Sequence, residues 1–330
     1  MNEKNVPSYE DMRMESRREI RRKRELRRRK KRQRRIMFLL CIIIFICLIG
    51  FFGKNKNNDQ EIVNNDIGSD TKILAESVPT VSPFVTSQEK DEEIIDENEF
   101  KKLYYYEDDK LERYIFYKNK HPKMSVSDVV WRVNSNIDID WYGESSIVDG
   151  YDYSILVNKY NKVPDGYKPP DLVTVDNQMM RKATADAYLK MRKELEAQGL
   201  KICAVSGYRS VEYQKNLYNR YLSEDSKEAV DRYSARPGHS EHHTGLALDL
   251  FGSTSGLRNF IKTPEYEWVR DNCHTYGFII RYQRDIEDIT GYEDEPWHIR
   301  YVGTDISIDM KNKGIKSYEE YYVKYIKHKG

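Results

Sequence analysis

A chain of 330 residues allows one or two domains, and a single core would leave material over for tails or anchors. Its four cysteines do not build a disulfide scaffold: Cys41 and Cys47 fall in an apolar run as small apolar residues, while Cys203 in an expected strand and Cys273 on an expected helix leave one bridge conceivable outside the cell but unsupported by spacing, and the expectation is two free, buried thiols. The net charge of +1 excludes nothing, because it sums a basic N-terminal block and a remainder that is acidic by roughly nine charges.

Arg13 to Arg35 holds fifteen Lys and Arg against three Glu. Alone, such a block reads equally as a nucleic-acid arm or a solvated helix. The next segment decides against nucleic acid. Ile36 to Phe52 is an uncharged apolar run near the lower limit of about 17 residues for a membrane-spanning helix, and the basic flank predicts a cytoplasmic N-terminus. Gly53-Lys-Asn-Lys-Asn-Asn offers no small-x-small cleavage site, so the expectation is an uncleaved signal anchor with Arg27 to Arg35 against anionic headgroups. Residues 1–35 then form a basic cytoplasmic tail, 36–52 a single-pass anchor, and the rest lies outside the cell.

Residues 53–99, rich in Asn, Asp, Glu, Ser, Thr and Pro, cannot bury enough surface to offset their ordering entropy and read as a flexible extracellular linker. A flexible chain of that length wanders roughly 35 to 40 Å, enough to hold a domain off the membrane. From residue 100 to 330 the composition is that of a folded domain. Leu111 to Tyr117 reads as a short helix, and Val126 to Val133 as a second one capped near Ser125 or Ser127. Ser154 to Tyr160 reads as a strand, followed by turn chemistry from Asn161 to Pro170. Met180 to Gln198 has helical spacing and Gly199 suits the left-handed position that closes a helix. Leu200 to Val205 reads as a strand packed on it, delivering Ser206-Gly-Tyr-Arg-Ser210 to a loop before a helix from Val211 to Leu222.

Arg236 to Asp249 is a loop full of imidazole that runs into a short apolar strand ending on a carboxylate. His242 and Asp249 are a nitrogen and an oxygen donor that zinc accepts. His298, which begins the strand Trp297 to Val302, supplies a third ligand and carries Glu295 three residues upstream, where a hydrolytic metal site needs a general base. His243 adjoins His242 on an extended segment and points the other way, and His239 lines the pocket rather than binding the ion. Between these stretches, Gly252 to Gly256 reads as a loop, Pro264 to Tyr276 as a helix ended by Gly277, and Phe278 to Tyr282 as a strand. Residues after Gly303 read as a polar helical tail. Together the elements predict an α+β domain: a mostly antiparallel sheet with helices on one side and an exposed zinc site on the other.

Ser240, His242, Gly245, Ala247 and Asp249, followed by Glu295 and His298, match Ser-x-His-x-x-Gly-x-Ala-x-Asp and Glu-x-x-His. In these residues the chain resembles the VanY-like D-alanyl-D-alanine carboxypeptidases, over roughly its C-terminal two thirds. The lead-in Leu156-Val-Asn-Lys-Tyr160 with Pro170 to Leu172 belongs to the same resemblance. It implies one Zn2+ per chain on His242, Asp249 and His298, with Glu295 as general base. It also implies Arg209 stabilising developing negative charge, a use that suits a guanidinium. Ser240, Gln214 and Trp297 are its implied substrate contacts. The implied reaction is hydrolysis of the terminal D-Ala-D-Ala bond of a peptidoglycan stem peptide, or of its lipid-linked precursor, with release of D-Ala. The cytoplasmic membrane is the expected partner surface, and a monomer is the default expectation where the sequence sets no oligomeric state. A cross-link endopeptidase or a D,D-dipeptidase on the same fold stays open, as does a non-catalytic wall-binding module of the kind that hedgehog-like domains represent. Retention of Glu295 and Arg209 speaks against the last.

Overall fold

The computed structural model describes residues 96–143, 145–253 and 257–328. The basic tail, the apolar run 36–52 and nearly all of the linker lie outside them. Among the described residues no helix is long and apolar enough to cross a membrane.

Among the described residues eight strands occur in chain order: β1 (Ser146–Ile147), β2 (Asn161–Lys162), β3 (Leu172–Val175), β4 (Gln178–Arg181), β5 (Cys203–Ser206), β6 (Ala247–Phe251), β7 (Phe278–Tyr282) and β8 (Glu295–Tyr301). The last four form the central sheet in the order β5-β6-β8-β7, every pair antiparallel. β3 and β4 form a separate hairpin that the sequence reading missed. Its turn residues Asp176 and Asn177 have φ of 54° and 59°, the left-handed conformation a two-residue hairpin turn demands and that Asp and Asn tolerate. β1 and β2 make a short parallel pair.

Period-two alternation divides the sheet into two faces. Ala204, Leu248, Leu250, Phe278, Ile280 and Ile299 join one core with the helix Lys182–Ala197, which contributes Ala185, Tyr188, Met191 and Leu195, and with Val269 of the helix Pro264–Asn272. Three helix ends carry clear local signals. Ser210 caps the helix Val211–Leu222 by accepting from Tyr213 N at 3.1 Å, Ser125 does the same for Val126–Asn134, and Gly199 takes φ 76°.

The other face is not left open, which corrects the one-sided arrangement expected. Ile279 and Val302 pack under Met310, Tyr318 and Tyr321, so the helices Thr304–Lys313 and Tyr318–Tyr322 cover the β7 edge. The supposed polar tail is thus part of a core, because its tyrosines bury their rings against the sheet. A second correction concerns Ser154 to Tyr160. It forms no strand: Asn158 Oδ1 accepts from Tyr160 N and Asn161 N, both at 3.0 Å, a side-chain turn that competes with a ladder. Cys203 and Cys273 are both buried thiols, as expected.

Candidate active site

Strand register builds the site. Asp249 of β6 lies directly opposite His298 of β8, and Ser206 of β5 lies opposite Asp249 on the other side. Cross-strand partners share a face, so these three side chains stand in a row. His242 joins them from the 3-10 turn Glu241–Thr244, which Ser240 caps and Gly245 closes at φ 64°. A ligand atom from each of His242, Asp249 and His298 lies within 4.8 Å of the others. Asp249 Oδ1 is the hub, 3.4 Å from His242 Nε2 and 3.2 Å from His298 Nδ1. The trio is buried and forms the floor of a cavity of about 220 Å³, a departure from the exposed site expected.

The donor set fits a divalent metal such as zinc. Each imidazole has its second nitrogen engaged: His242 Nδ1 is 2.8 Å from the Gly207 carbonyl, and His298 Nε2 is 3.2 Å from Glu241 Oε2. Acceptors there take an N–H, which leaves His242 Nε2 and His298 Nδ1 as the nitrogens that face the shared space. Burial, with the Arg209 guanidinium beside it, pushes His242 down to about 4. Burial opposes protonation of His298 as well, but the carboxylates of Asp249 and Glu241 outweigh it and hold His298 up at about 9 in the metal-free state.

Glu295 reaches the same space by an irregularity. In a regular strand residues i and i+3 point to opposite faces. The register shift that takes β7–β8 pairing from Ile280 opposite Ile299 to Tyr282 opposite Glu295 breaks that alternation. Glu295 Oε2 comes 3.8 Å from His298 Nδ1. Burial pushes its carboxyl up to about 7, with Asp249 adding to the effect.

Arg209 enters from the loop after β5. Its Nη2 lies 2.7 Å from Asp249 Oδ2 and 2.8 Å from Ser206 Oγ, and its backbone N donates to the His242 carbonyl at 3.0 Å. Gln214 lines the cavity, but its amide is spent inside the protein. Nε2 donates to the Ala235 carbonyl at 2.8 Å, and Oε1 accepts from Arg209 Nη1 at 3.4 Å. Its amide thus braces Arg209 and the Ala235 backbone. Ser240 and Trp297 line the cavity too, with Ser240 Oγ accepting from His242 N at 3.3 Å.

His243 and His239 stay out of the trio. His243 uses both ring nitrogens on backbone, 2.7 Å from the Arg209 carbonyl and 3.1 Å from Gly238 N. His239 Nδ1 lies 2.8 Å from the Asn158 carbonyl. Glu241 is the residue that sequence reasoning missed. It sits between two matched motif positions, Ser240 and His242, and an acidic residue in a histidine-rich loop next to a ligand was the available signal.

Against known proteins, the family of VanY D-alanyl-D-alanine carboxypeptidases matches residues 177–304. The YodJ protein of Bacillus subtilis (strain 168) is 39% identical over 182 residues, 51% of this chain and 66% of that one. A D-alanyl-D-alanine carboxypeptidase of Enterococcus faecium is 34% identical over 174 residues, 52% of either chain. The bifunctional D-Ala-D-Ala dipeptidase and D-Ala-D-Ala carboxypeptidase VanXYC of Enterococcus gallinarum is 32% identical over 186 residues, 50% of this chain and 93% of that protein. The similarity covers half of the chain rather than the two thirds expected, and it spans 66% and 52% of the first two relatives.

Proposed function

The chain belongs to the VanY family of D-alanyl-D-alanine carboxypeptidases, and on that premise we propose that it is a zinc metallopeptidase that hydrolyses the terminal D-Ala-D-Ala bond of peptidoglycan stem peptides and releases D-Ala. The observation that carries the reading is geometric. Two imidazole nitrogens and one carboxylate oxygen converge in a cavity, with a second, protonatable carboxyl, Glu295, beside them.

His242 Nε2, Asp249 Oδ1 and His298 Nδ1 would hold the metal. When bound, it supplies a Lewis acid toward the scissile carbonyl and makes water a better nucleophile near neutral pH. Glu295 takes the proton of the attacking water and passes it to the leaving amine, work that suits a carboxyl beside the trio. Arg209, held by Ser206 and Gln214, presents a fixed positive charge to the developing oxyanion. Ser240 and Trp297 bound the space the peptide end enters.

The proposal extends to location. Residues 36–52 anchor the chain, residues 53–99 tether it, and the domain from residue 100 works outside the cell on wall polymer or lipid-linked precursor, with the cytoplasmic membrane as its partner surface. Incubating the protein separately with a defined pentapeptide stem, free D-Ala-D-Ala and a cross-linked dimer, and weighing the products, tests the activity: loss of one D-Ala from the stem supports it, while cleavage confined to the free dipeptide or to the dimer selects the dipeptidase or the endopeptidase. Protease added to intact cells tests the topology, which fails if the domain beyond Gly53 is protected.

A further inference from the structure

Behind the ligand trio lies a network of four buried charges. Glu241 Oε1 takes Arg281 Nε at 2.9 Å and Arg300 Nη1 at 3.0 Å, and all three side chains have no exposed surface. Arg281 turns its other two nitrogens to Glu319, Nη1 at 3.1 Å from Oε2 and Nη2 at 2.6 Å from Oε1. Glu319 sits on the C-terminal helix Tyr318–Tyr322 and also accepts from Asn158 Nδ2 at 3.1 Å and Ser317 Oγ at 3.2 Å. Arg300 Nη2 donates to the carbonyls of Tyr153 and Ile155. Two carboxylates and two guanidiniums cancel.

Stability alone does not ask for such a cluster, since packed apolar residues of similar volume commonly do as well or better. Its distinguishing feature is where it ends. Glu241 Oε2, the oxygen that neither arginine uses, lies 3.2 Å from His298 Nε2. A carboxylate flanked by two guanidiniums can only accept, so the ring must present Nε2–H to it and Nδ1 to the trio. His242, by contrast, is oriented by a neutral carbonyl.

We propose that Glu241 is a positioning residue for the metal: it fixes the tautomer and rotation of His298, and Glu319 on the C-terminal helix holds it in place through Arg281. The inference rests on the zinc reading given above. An anionic partner on the far nitrogen also makes the near one a stronger donor, and losing such a partner typically weakens metal affinity about 10 to 100-fold. The C-terminal helix thereby helps to set the metal affinity of a site to which it contributes no ligand.

The test is zinc affinity, measured on the full-length, chelator-stripped protein by competition with a chromophoric chelator, alongside circular dichroism of the metal-free forms. Glu241→Gln should stay folded and bind zinc about 10 to 100-fold more weakly. Glu319→Gln, which touches no ligand, should weaken it by a smaller factor. Wild-type affinity in a folded Glu241→Gln variant overturns the proposal. If that variant does not fold, Glu319→Gln decides: wild-type affinity overturns the coupling to the helix, and reduced affinity in a folded protein supports it. Loss of fold in both variants overturns it in favour of a purely structural network. Failure of the wild type to bind zinc is a different result, and it sinks the metallopeptidase reading itself.

Discussion

Arg209 and Asp249 divide one carboxylate between two tasks: Oδ2 takes the Arg209 guanidinium at 2.7 Å, while Oδ1 faces both His242 Nε2 and His298 Nδ1. The guanidinium thus spends Nε and Nη2 on Ser206 and Asp249 and one Nη1 hydrogen on Gln214, leaving one Nη1 N–H outside these bonds.

An ammonium cannot reproduce that fork, because it is a point charge on a flexible stem. Arg209→Lys should therefore lose turnover by about 100 to 1,000-fold, the usual penalty for a missing oxyanion donor, even though its charge is kept. The measurement is D-Ala release with zinc content and fold checked in parallel. Unchanged turnover in a folded, zinc-loaded variant would reduce Arg209 to a strut for Asp249.

Zinc binding should displace protons, and mainly from one histidine. His242, held down at about 4, is already neutral at pH 7.5, whereas His298, held up at about 9 by Asp249 and Glu241, is still protonated on both nitrogens. A metal needs the Nδ1 lone pair, so binding at that pH should release about one proton from His298. Apparent affinity should rise with pH by up to about tenfold per unit and flatten near 9. Titration calorimetry in two buffers of different ionisation heat measures the release directly. A value near zero at pH 7.5 would mean that His298 is not the ligand that titrates.

The site was readable in the sequence because its residues lie at fixed short spacings: Ser240 to Asp249 is one turn and one strand, and Glu295 to His298 is one strand segment. The left-handed position at Gly199 and the cap at Ser125 were legible for the same local reason. What failed needed long-range information. Ser154 to Tyr160 has strand composition, but Asn158 folds it into a turn. The role of Glu241 depends on Arg281, Arg300 and Glu319, which lie 40 to 78 positions away and reach it only after β7 and β8 pair. The tyrosines after Gly303 look solvated until the β7 edge they cover is known.

Gly207 offers a test of backbone support. A Cβ there would meet the Met179 carbonyl oxygen at 2.3 Å, a backbone atom that cannot swing away, while the Gly207 carbonyl is the one that orients His242. Gly207→Ala should force the β4 hairpin and the loop after β5 apart, at a cost of about 1 to 3 kcal/mol. Both the melting temperature and the zinc affinity should fall. A variant that melts lower yet binds zinc like wild type would show that His242 keeps its orientation without that carbonyl.

The two carboxylates of the site separate ligand from base most sharply. Asp249→Ala removes the oxygen that faces both imidazoles, so bound zinc should fall markedly and activity with it. Glu295→Gln leaves the trio intact. It should keep near-stoichiometric zinc and lose about 100 to 10,000-fold in turnover, the range of a positioned proton acceptor. The pH profile adds a sign. Glu295 must be ionised to act, and burial raises it to about 7 without metal, so activity should climb as pH rises through its ionisation. A bound dication favours the carboxylate and moves that limb below 7. Metal analysis beside D-Ala release across pH checks each part: zinc lost from Glu295→Gln, or a variant still active with its acid limb unchanged, would move the general base to another residue.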